Sequence, residues 1–430
     1  MIQALVLLAA SGIQLQQTEL ANGLDVIVNE DHSSNVVTVC ITVNTGATCE
    51  SPETNGLAHF YEHMFFKGNG ALPDQTAYNE RMRELGIVRN GITSSEMVRY
   101  FLTVPSHSFH QAMEFMFDAI TTPLFDEEEI VRERSVIMNE YQRNTSSPWW
   151  NLWKAKEQVL AVDPWRSNSI GVPEVIEAAS RQVMMDFQHT YYTPDNSALI
   201  ISGDVNAAEA TEAAEEMFSS WEYGGRSDYS SLPLNISIPG DTLVHVSGPQ
   251  GIASISIVFR GPSMVDQQEW TYAADVWGQY MSAMTGEFQE RLVTDGPFLN
   301  VYASYYTQRF EPTITFGGTI QADKAREGYD LLRGEIERMF EEEYFTESGL
   351  NLALEQLRRH RLFACESAVE MATETLPFWW VQGDGLDYYL EYPEKLASVS
   401  QDDVKSFINT WIAGQPSAVF VVTPEGRWSE

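Results

Sequence analysis

Short and long apolar segments alternate along the first half of the chain, and together they predict both kinds of regular element. Short runs predict strands at Leu24–Asn29, Val36–Asn44, Val98–Val104 and Ser197–Ser202. Longer stretches predict helices around residues 55–66, 75–85, 108–120 and 126–143. Because strands that pair locally have helices set between them, the pattern predicts an α+β fold rather than a doubly wound α/β fold.

The length of the chain predicts more than one domain. A chain of 430 residues is too long for one small core, and two domains of about 200 residues are the natural division. Gly, Ser and Pro are frequent between Glu222 and Gly240, which predicts a linker at residues 223–240. The predicted domains are then residues 17–222 and residues 241–430.

The second half resembles a degenerate copy of the first half, which predicts a duplication with a period of about 200 residues. We therefore expect two related domains, each with a mostly antiparallel sheet packed with helices. The segments that correspond to elements of the first half are Thr242–Val246, Ala253–Phe259, Trp270–Met284, Val399–Phe407 and Ala418–Pro424. Of these, Trp270–Met284 corresponds to the predicted helix at 55–66 but has no histidine.

The predicted helix at 55–66 contains the sequence His59-Phe60-Tyr61-Glu62-His63. Two histidines four residues apart lie one turn apart on one face of a helix, where both imidazoles can bind one zinc ion. Glu62 reaches the same side as His59, so its carboxylate can act as general base on a zinc-bound water. This H-x-x-E-H order reverses the commoner H-E-x-x-H motif and indicates a zinc metallopeptidase.

A catalytic zinc site needs a third protein ligand, which we expect from the acidic helix at 126–143. Its residues Ile130, Val136 and Ile137, with Met138, predict an amphipathic helix. Glu133 and Glu140 are seven residues apart on one face. One of them would bind zinc while the other orients a ligand. The alternative is that the histidines are ordinary core or surface residues and the acidic run is a solvated helix face.

Sequence around these residues closely resembles the pitrilysin/insulinase family of inverzincin metallopeptidases, which includes the mitochondrial processing peptidase. The resemblance extends from about Leu20 to the C-terminus and is weaker in the second half. The motifs that carry it are Asn55-Gly56-Leu57-Ala58, Met64-Phe65-Phe66-Lys67-Gly68, Asn90-Gly91-x-Thr93-x-x-Glu96-x-x-x-Tyr100-Phe101, Glu133-Arg134-x-Val136-Ile137-x-x-Glu140, Tyr191-Tyr192-x-Pro194-x-Asn196 and Gly203-Asp204-Val205.

The resemblance implies a role for each candidate residue of the first half. His59, His63 and Glu140 would be the zinc ligands, Glu62 the general base, and Glu133 a supporting carboxylate. Asn90 would lie on a strand edge and contact the backbone of a bound peptide. For Asn90-Gly91 the alternative is an ordinary turn.

The resemblance also implies that the second domain has no metal and helps to enclose a peptide-binding chamber. In the family this domain often carries an Arg and a Tyr, about seven residues apart, that hold substrate. Here Phe298 stands where the Tyr is expected. Arg291 and Tyr302 are candidate substitutes, although their spacing differs and Arg291 is equally well explained as a surface residue. We therefore expect a dimer, either of two copies or with a partner chain that supplies the Arg and the Tyr.

These observations predict a zinc-dependent endopeptidase that hydrolyses peptides or unfolded polypeptide segments inside a closed chamber, with Zn²⁺ as cofactor. The alternative is a non-catalytic or conditionally active subunit, or a scaffold, of a heterodimeric peptidase of the same fold. All of the residues that the zinc chemistry needs are present, which favours the enzyme.

The formal net charge of −35 makes nucleic acid and anionic membrane surfaces poor partners. An acidic chamber would attract basic peptides. The acidic residues are spread along the whole chain, however, so a solvated acidic surface, such as one adapted to high salt, is the favoured interpretation.

Residues 1–16 are a candidate leader segment, because the apolar run from Met1 to Gly12 ends in small residues. We therefore expect export to a bacterial periplasm, with a cytoplasmic location as the alternative, because the run lacks a basic start. No run approaches the length of a transmembrane helix, so membrane insertion is not expected. Cys40 and Cys49 would form a disulfide bond if the chain is exported, and are otherwise inert thiols.

Overall fold

The computed structural model describes residues 5–8, 13–222, 224–225 and 227–426. The predicted leader at residues 1–16 lies partly outside the described residues. Its described part forms a strand and the beginning of a second one, which pair in antiparallel orientation. The strands are β1 (Leu5–Leu8), β2 (Ile13–Glu19), β3 (Asp25–Glu30), β4 (Val36–Val43), β5 (Val88–Thr93), β6 (Val98–Pro105), β7 (Ser197–Gly203), β8 (Thr242–Ser247), β9 (Ile252–Arg260), β10 (Phe298–Tyr305), β11 (Thr313–Gln321) and β12 (Ala418–Thr423).

Helices follow or separate the strands in both halves of the chain. Those before β8 are α1 (Leu57–Phe65), α2 (Gln75–Leu85), α3 (Phe109–Thr121), α4 (Glu127–Thr145), α5 (Trp150–Leu160), α6 (Pro173–Ala178), α7 (Arg181–Tyr191) and α8 (Ala207–Phe218). Those after β8 are α9 (Gln268–Met281), α10 (Glu287–Gln289), α11 (Ala325–Arg338), α12 (Glu347–Ala364), α13 (Ala368–Glu370), α14 (Leu376–Gly383), α15 (Asp387–Ala397) and α16 (Gln401–Trp411). Short π-helical stretches lie at Glu290–Thr294 and Met371–Thr375.

The first sheet has seven strands among the described residues, in the order β1-β2-β3-β7-β4-β6-β5. Only the β3–β7 pair is parallel, and the other pairs are antiparallel. Its central strands β4 and β7 are almost entirely buried and are rich in Val and Ile. Such β-branched residues favour strands, and nearly continuous apolar runs are typical of strands covered on both faces.

The second sheet repeats the pairing pattern of the first. Its order is β10-β11-β9-β12-β8, and only the β8–β12 pair is parallel. Strands β8, β9, β10, β11 and β12 therefore correspond in order and direction to β3, β4, β5, β6 and β7. This correspondence confirms the predicted α+β fold with two related, mostly antiparallel sheets.

Two compact units, each discontinuous in sequence, make up the chain. The first unit contains residues 1–142, 165–231 and 362–387, and the second contains residues 143–164, 232–361 and 388–430. Each unit thus includes one helical segment from the other half of the sequence. The contiguous division at the 223–240 linker stays a prediction.

The 362–387 segment is attached to the first sheet through polar contacts within the first unit. The guanidinium of Arg99 on β6 pairs with Glu374 at 2.7 Å and also donates to the carbonyl of Thr373. Nε1 of Trp380 donates to the carboxylate of Asp25 at 2.7 Å. These contacts link residues about 275 to 355 positions apart in sequence.

The structure also bears on the expected disulfide bond and on membrane insertion. None of Cys40, Cys49 and Cys365 is in a disulfide bond, so the bond considered between Cys40 and Cys49 is absent among the described residues. Burial raises the pKa of the Cys40 thiol to about 12, which keeps this thiol protonated and unreactive. Among the described residues, no helix combines the length and the apolar character needed to cross a membrane.

Candidate metal centre

Helix α1 carries three of the predicted site residues, and its core contacts hold it in place. Phe60, Tyr61 and Met64 are buried in the hydrophobic core of the first unit. His59 and His63 are only partly buried, and their ring centroids are 4.7 Å apart. The four-residue spacing of the two histidines therefore produces adjacent imidazoles on one face of the helix, as predicted from sequence.

Helix α4 supplies the acidic residues. Ile130 and Ile137 are buried, and Glu133 and Glu140 follow them at the same seven-residue spacing. These four positions therefore lie along one side of the helix. Val136, which we expected on the apolar face, is 41% exposed, because it lies about 100° around the helix from Ile137.

The two helices bring His59, His63 and Glu140 together. Oε2 of Glu140 lies 3.7 Å from Nε2 of His59 and 3.5 Å from Nε2 of His63. Ligand atoms about 2.0–2.2 Å from a zinc ion lie roughly 3.3–3.6 Å from one another in a tetrahedron. Among the described residues, this is the one group of three or more His, Cys, Asp and Glu side chains that converges within metal-ligand distance.

Glu133 holds His63 from the opposite side of its ring. Oε2 of Glu133 lies 3.0 Å from Nδ1 of His63, and Oε1 lies 2.6 Å from Nζ of Lys67. Burial alone would raise the pKa of Glu133, but the hydrogen bonds from His63 and Lys67 lower it below its ordinary value. The ionised carboxylate favours a proton on Nδ1, so Nε2, on the side of Glu140, is the nitrogen that would bind a metal.

His59 is also suited to bind a metal as a neutral imidazole. Burial, and after it the neighbouring His63, lower the pKa of His59 to about 4. The His59 imidazole is therefore uncharged at neutral pH. A metal ion that binds at Nε2 does not have to displace the proton of an imidazolium cation.

Glu62 lies beside this cluster and is held by strand β5. The hydroxyl of Thr93 donates to Oε2 of Glu62 at 3.0 Å. Burial raises the pKa of Glu62, and the hydrogen bond from Thr93 only partly opposes that effect. A carboxylate with a raised pKa next to a candidate metal site is suited to act as a base.

The beginning of α1 is held by a buried carboxylate whose role the sequence analysis missed. Gly56 at the N-cap has φ 102° and no side chain that could accept a hydrogen bond. Glu50 replaces that cap, because its oxygens accept from the backbone N–H groups of Gly56 and Ala58, both at 2.8 Å, and from the Asn55 amide at 3.0 Å. A helix start with glycine in place of Ser, Thr, Asp or Asn could have indicated an acceptor elsewhere.

Asn90 lies on β5, which is an edge strand of the first sheet and pairs only with β6 among the described residues. Its side chain is exposed. The next residue, Gly91, lies against the site: a Cβ on Gly91 would be 2.8 Å from Cγ of Glu62. The Asn90-Gly91 pair is therefore part of a strand rather than an ordinary turn.

Arg291 and Tyr302 lie in the second unit, on different elements. Arg291 is exposed and pairs with Glu287 at 3.4 Å. Tyr302 on β10 is 42% exposed, and its ring packs so closely on Gly317 that a Cβ there would be 2.4 Å from it. Phe298, at the position where the family pattern expects Tyr, is buried. The substrate-binding roles of Arg291 and Tyr302 stay predictions.

Comparison with known proteins agrees with this arrangement. Residues 25–171 match the family model described as insulinase, peptidase family M16. Residues 178–357 match the model described as the peptidase M16 inactive domain. The two models together cover most of the chain, and the first one contains all of the converging metal-ligand candidates.

Individual relatives have names consistent with this family. The chain is 26% identical over 366 residues to a protein of Rickettsia bellii (strain RML369-C) named an uncharacterized zinc protease, covering 83% of this chain and 85% of that protein. It is 26% identical over 285 residues to the probable mitochondrial-processing peptidase subunit beta of Arabidopsis thaliana, covering 66% of this chain and 52% of that protein. The chain thus spans about half the length of the plant relative.

A solved structure shows the same fold. A protease from Helicobacter pylori superimposes with a TM-score of 0.83 at 20% sequence identity, covering 96% of this chain and 100% of that chain. The resemblance inferred from the sequence motifs is thereby confirmed for family and fold. The chain belongs to peptidase family M16, the insulinase family.

Proposed function

We propose that this protein is a zinc-dependent endopeptidase that hydrolyses peptides or unfolded polypeptide segments. The observation that carries the proposal is the position of Glu140 Oε2, which lies 3.5 Å and 3.7 Å from the Nε2 atoms of His63 and His59. These are the spacings of three ligands around one ion rather than those of hydrogen bonds.

The donor set fits zinc. Two imidazole nitrogens and one carboxylate oxygen are a ligand set of catalytic zinc sites, which keep a further position open. Glu133 contacts and orients His63, and Lys67 in turn holds Glu133. When bound, zinc supplies Lewis-acid chemistry that makes a peptide carbonyl more electrophilic and a water more acidic.

Glu62 is the proposed general base. Its Oε2 carries the hydrogen bond from Thr93, and proton transfer needs only the other oxygen, Oε1. Glu62 takes a proton from the attacking water and delivers it to the leaving amine, so one carboxylate serves both proton transfers. Its raised pKa, caused mainly by burial, makes the carboxylate a stronger base and so favours the first transfer.

The substrate is proposed to bind as an extended segment along β5. This edge strand has unpaired backbone groups among the described residues, to which a peptide can add as a further strand. Asn90 is exposed on this strand and is proposed to contact the peptide backbone. An enclosed chamber around the site would admit extended segments and exclude folded proteins.

The alternative is a non-catalytic or conditionally active subunit that needs a partner. Arg291 forms an ion pair with Glu287, and Phe298 stands where the family pattern expects Tyr. Both observations favour a second chain that supplies the Arg and the Tyr. We also propose that the chain pairs as a homodimer or heterodimer and that it is exported to a periplasm.

Hydrolysis of a quenched peptide library by the purified chain and by Glu62→Gln tests the proposal, with zinc content measured in both. We expect equal zinc content and a rate about 10²–10⁴-fold lower in Glu62→Gln, because the general base is lost. Glu53→Gln, which changes an exposed carboxylate just before α1, should retain the parent rate. Equal rates in parent and Glu62→Gln would contradict the proposed role. Zinc in both, with turnover only after a partner chain is added, would favour the subunit alternative.

A further inference from the structure

Strand β5 contacts the side chain of Glu62 at two points. The hydroxyl of Thr93 donates to Oε2 of Glu62 at 3.0 Å. Two residues earlier on the same strand face, Gly91 approaches so closely that a Cβ would lie 2.8 Å from Cγ and 3.2 Å from Oε1 of Glu62. Residues two apart on a strand point to the same side, so both contacts come from the face of β5 that looks at α1.

A glutamate needs such contacts if it is to act as a base. Its side chain has three rotatable bonds, and proton transfer requires the acceptor oxygen within hydrogen-bond reach of the water. A misplacement of about 1 Å can reduce the rate 10²-fold. Thr93 is a suitable anchor, because β-branched side chains have few χ1 rotamers and hold their hydroxyl in one direction.

The hairpin that carries Thr93 is itself fixed in the first unit. The turn after Thr93 is closed by a hydrogen bond from the Ser94 N–H to the Met97 carbonyl at 2.9 Å. Glu96, in that turn, is buried and accepts a hydrogen bond from the Gln382 amide at 2.9 Å. Arg99, on the returning strand, is buried and pairs with Glu374. These contacts therefore hold in place the β5–β6 hairpin that carries Thr93.

We infer that Thr93 is a positioning residue for Glu62, and that Gly91 is the residue that allows β5 to approach closely enough for Thr93 to reach it. This inference rests on the proposed function, because it assigns Glu62 the role of base. The competing explanation is that Thr93 is an ordinary strand residue whose hydroxyl is satisfied by the nearest carboxylate. In that case its removal changes stability but not the proton-transfer step.

Substitution of Thr93 by Val and by Ser separates the two explanations. Val keeps the β-branched shape and removes the hydroxyl, while Ser keeps the hydroxyl. Thr103 on β6 supplies the matched control, because its hydroxyl bonds Thr38 at 2.9 Å rather than a site residue. The measurements are kcat and KM for one quenched peptide, together with zinc content and melting temperature for every variant.

Thr93→Val is expected to lower kcat about 10-fold to 100-fold, to change KM by less than about twofold, and to leave the zinc content unchanged. Thr93→Ser should retain kcat within about threefold, and Thr103→Val within about twofold. A second readout is independent of activity. Because Thr93 and Glu62 share one hydrogen bond, Thr93→Val should lower the melting temperature less in a Glu62→Ala background than in the parent.

Three results would overturn the inference in different ways. If the parent is active and Thr93→Val keeps its kcat within twofold, Thr93 has no positioning role and the proposed function stands. If the parent with its full complement of zinc hydrolyses no peptide, the proposed function fails and the role of Thr93 fails with it. A loss of kcat in Thr93→Ser equal to that in Thr93→Val would also overturn the inference, because the hydroxyl would not be the cause.

Discussion

Five strands of the first sheet have the same order and the same single parallel pair as the five strands of the second sheet. Among the described residues, a metal-ligand cluster lies only in the first unit. In the first unit, α1 follows β4 and carries His59, Glu62 and His63. In the second unit, α9 follows β9 at the corresponding place and has no histidine. Asp275, an acid on α9, accepts a hydrogen bond from the Tyr392 hydroxyl at 2.7 Å and so serves packing within the unit.

The fold therefore supplies a helix beside a sheet in both units, and the side chains on that helix decide the chemistry. The same contrast applies to the beginnings of the two helices. Glu50 caps α1 from outside the helix, whereas the N-cap residue of α9, Gln267, makes no side-chain cap hydrogen bond. The cap from outside the helix is thus found at the helix that carries the candidate metal ligands.

The units are also alike in an unexpected way. Residues 143–164, with α5, belong to the second unit, and residues 362–387 belong to the first unit. In the second unit, Leu160 of α5 packs in a cluster with Ile236, Ile238 and Phe420. Each unit therefore depends on a segment from the other half of the sequence, so neither half of the sequence alone contains a whole unit.

The largest effect on stability is expected from Glu50→Gln, which removes the cap that α1 has and α9 lacks at its N-cap residue. Gln has one acceptor oxygen in place of two, and its amide would face backbone N–H groups at the start of α1. We expect a loss of about 2–3 kcal/mol in the free energy of unfolding, measured by urea denaturation of the metal-free protein. Glu53→Gln, at an exposed position nearby, should cost less than about 0.5 kcal/mol.

The same variant should show a defined pH dependence. Burial, opposed by the hydrogen bonds from Ala58 and Gly56, raises the pKa of Glu50 from 4.5 to about 7. Between these two pKa values, the folded state binds more protons at Glu50 than the unfolded state does. The stability that protonated Glu50 contributes is therefore lost as the pH rises through about 7. The difference between the parent and Glu50→Gln should therefore be larger at about pH 5 than at about pH 8. A pH-independent difference would contradict this interpretation.

A smaller effect is expected from Glu374→Gln, which tests how the 362–387 segment is attached to the first unit. Glu374 is 55% exposed, while its partner Arg99 is buried and keeps its hydrogen bond to the Thr373 carbonyl. Because exposed members of ion pairs contribute little, we expect a loss of about 0.5–1 kcal/mol in urea denaturation. Glu370→Gln, an exposed acid in the same segment, is the control. If the two variants lost equal free energy, the Arg99–Glu374 pair would not contribute to the attachment.

Much of the first unit could be predicted from the sequence because its elements are local. The spacing of His59, Glu62 and His63 depends only on helical geometry, and the structure places Glu133 and Glu140 on one side of α4, as their seven-residue spacing requires. The apolar pattern also located four strands (β3, β4, β6 and β7) and four helices (α1 to α4) within a few residues.

The rest depends on contacts that no local pattern reveals. Glu50 reaches α1 through a turn of irregular geometry, and the contact of Gly91 with Glu62 depends on the pairing of β5 with β6. The attachment of Glu374 to Arg99 spans 275 positions. Sequence spacing predicts neighbours within an element, but the partners of separate elements are decided by tertiary packing.

We propose that one metal centre, in the first unit, carries the peptidase activity. The most direct measurement is a titration of the metal-free chain with zinc, in which peptide hydrolysis and bound metal are followed together and His63→Asn is treated in parallel. We expect hydrolysis to rise with zinc and to saturate at about one ion per chain, while His63→Asn binds zinc at least about 100-fold more weakly because one of its ligands is lost. Saturation at two ions per chain, full activity without metal, or unchanged zinc affinity in His63→Asn would contradict the proposal of one catalytic zinc ion per chain.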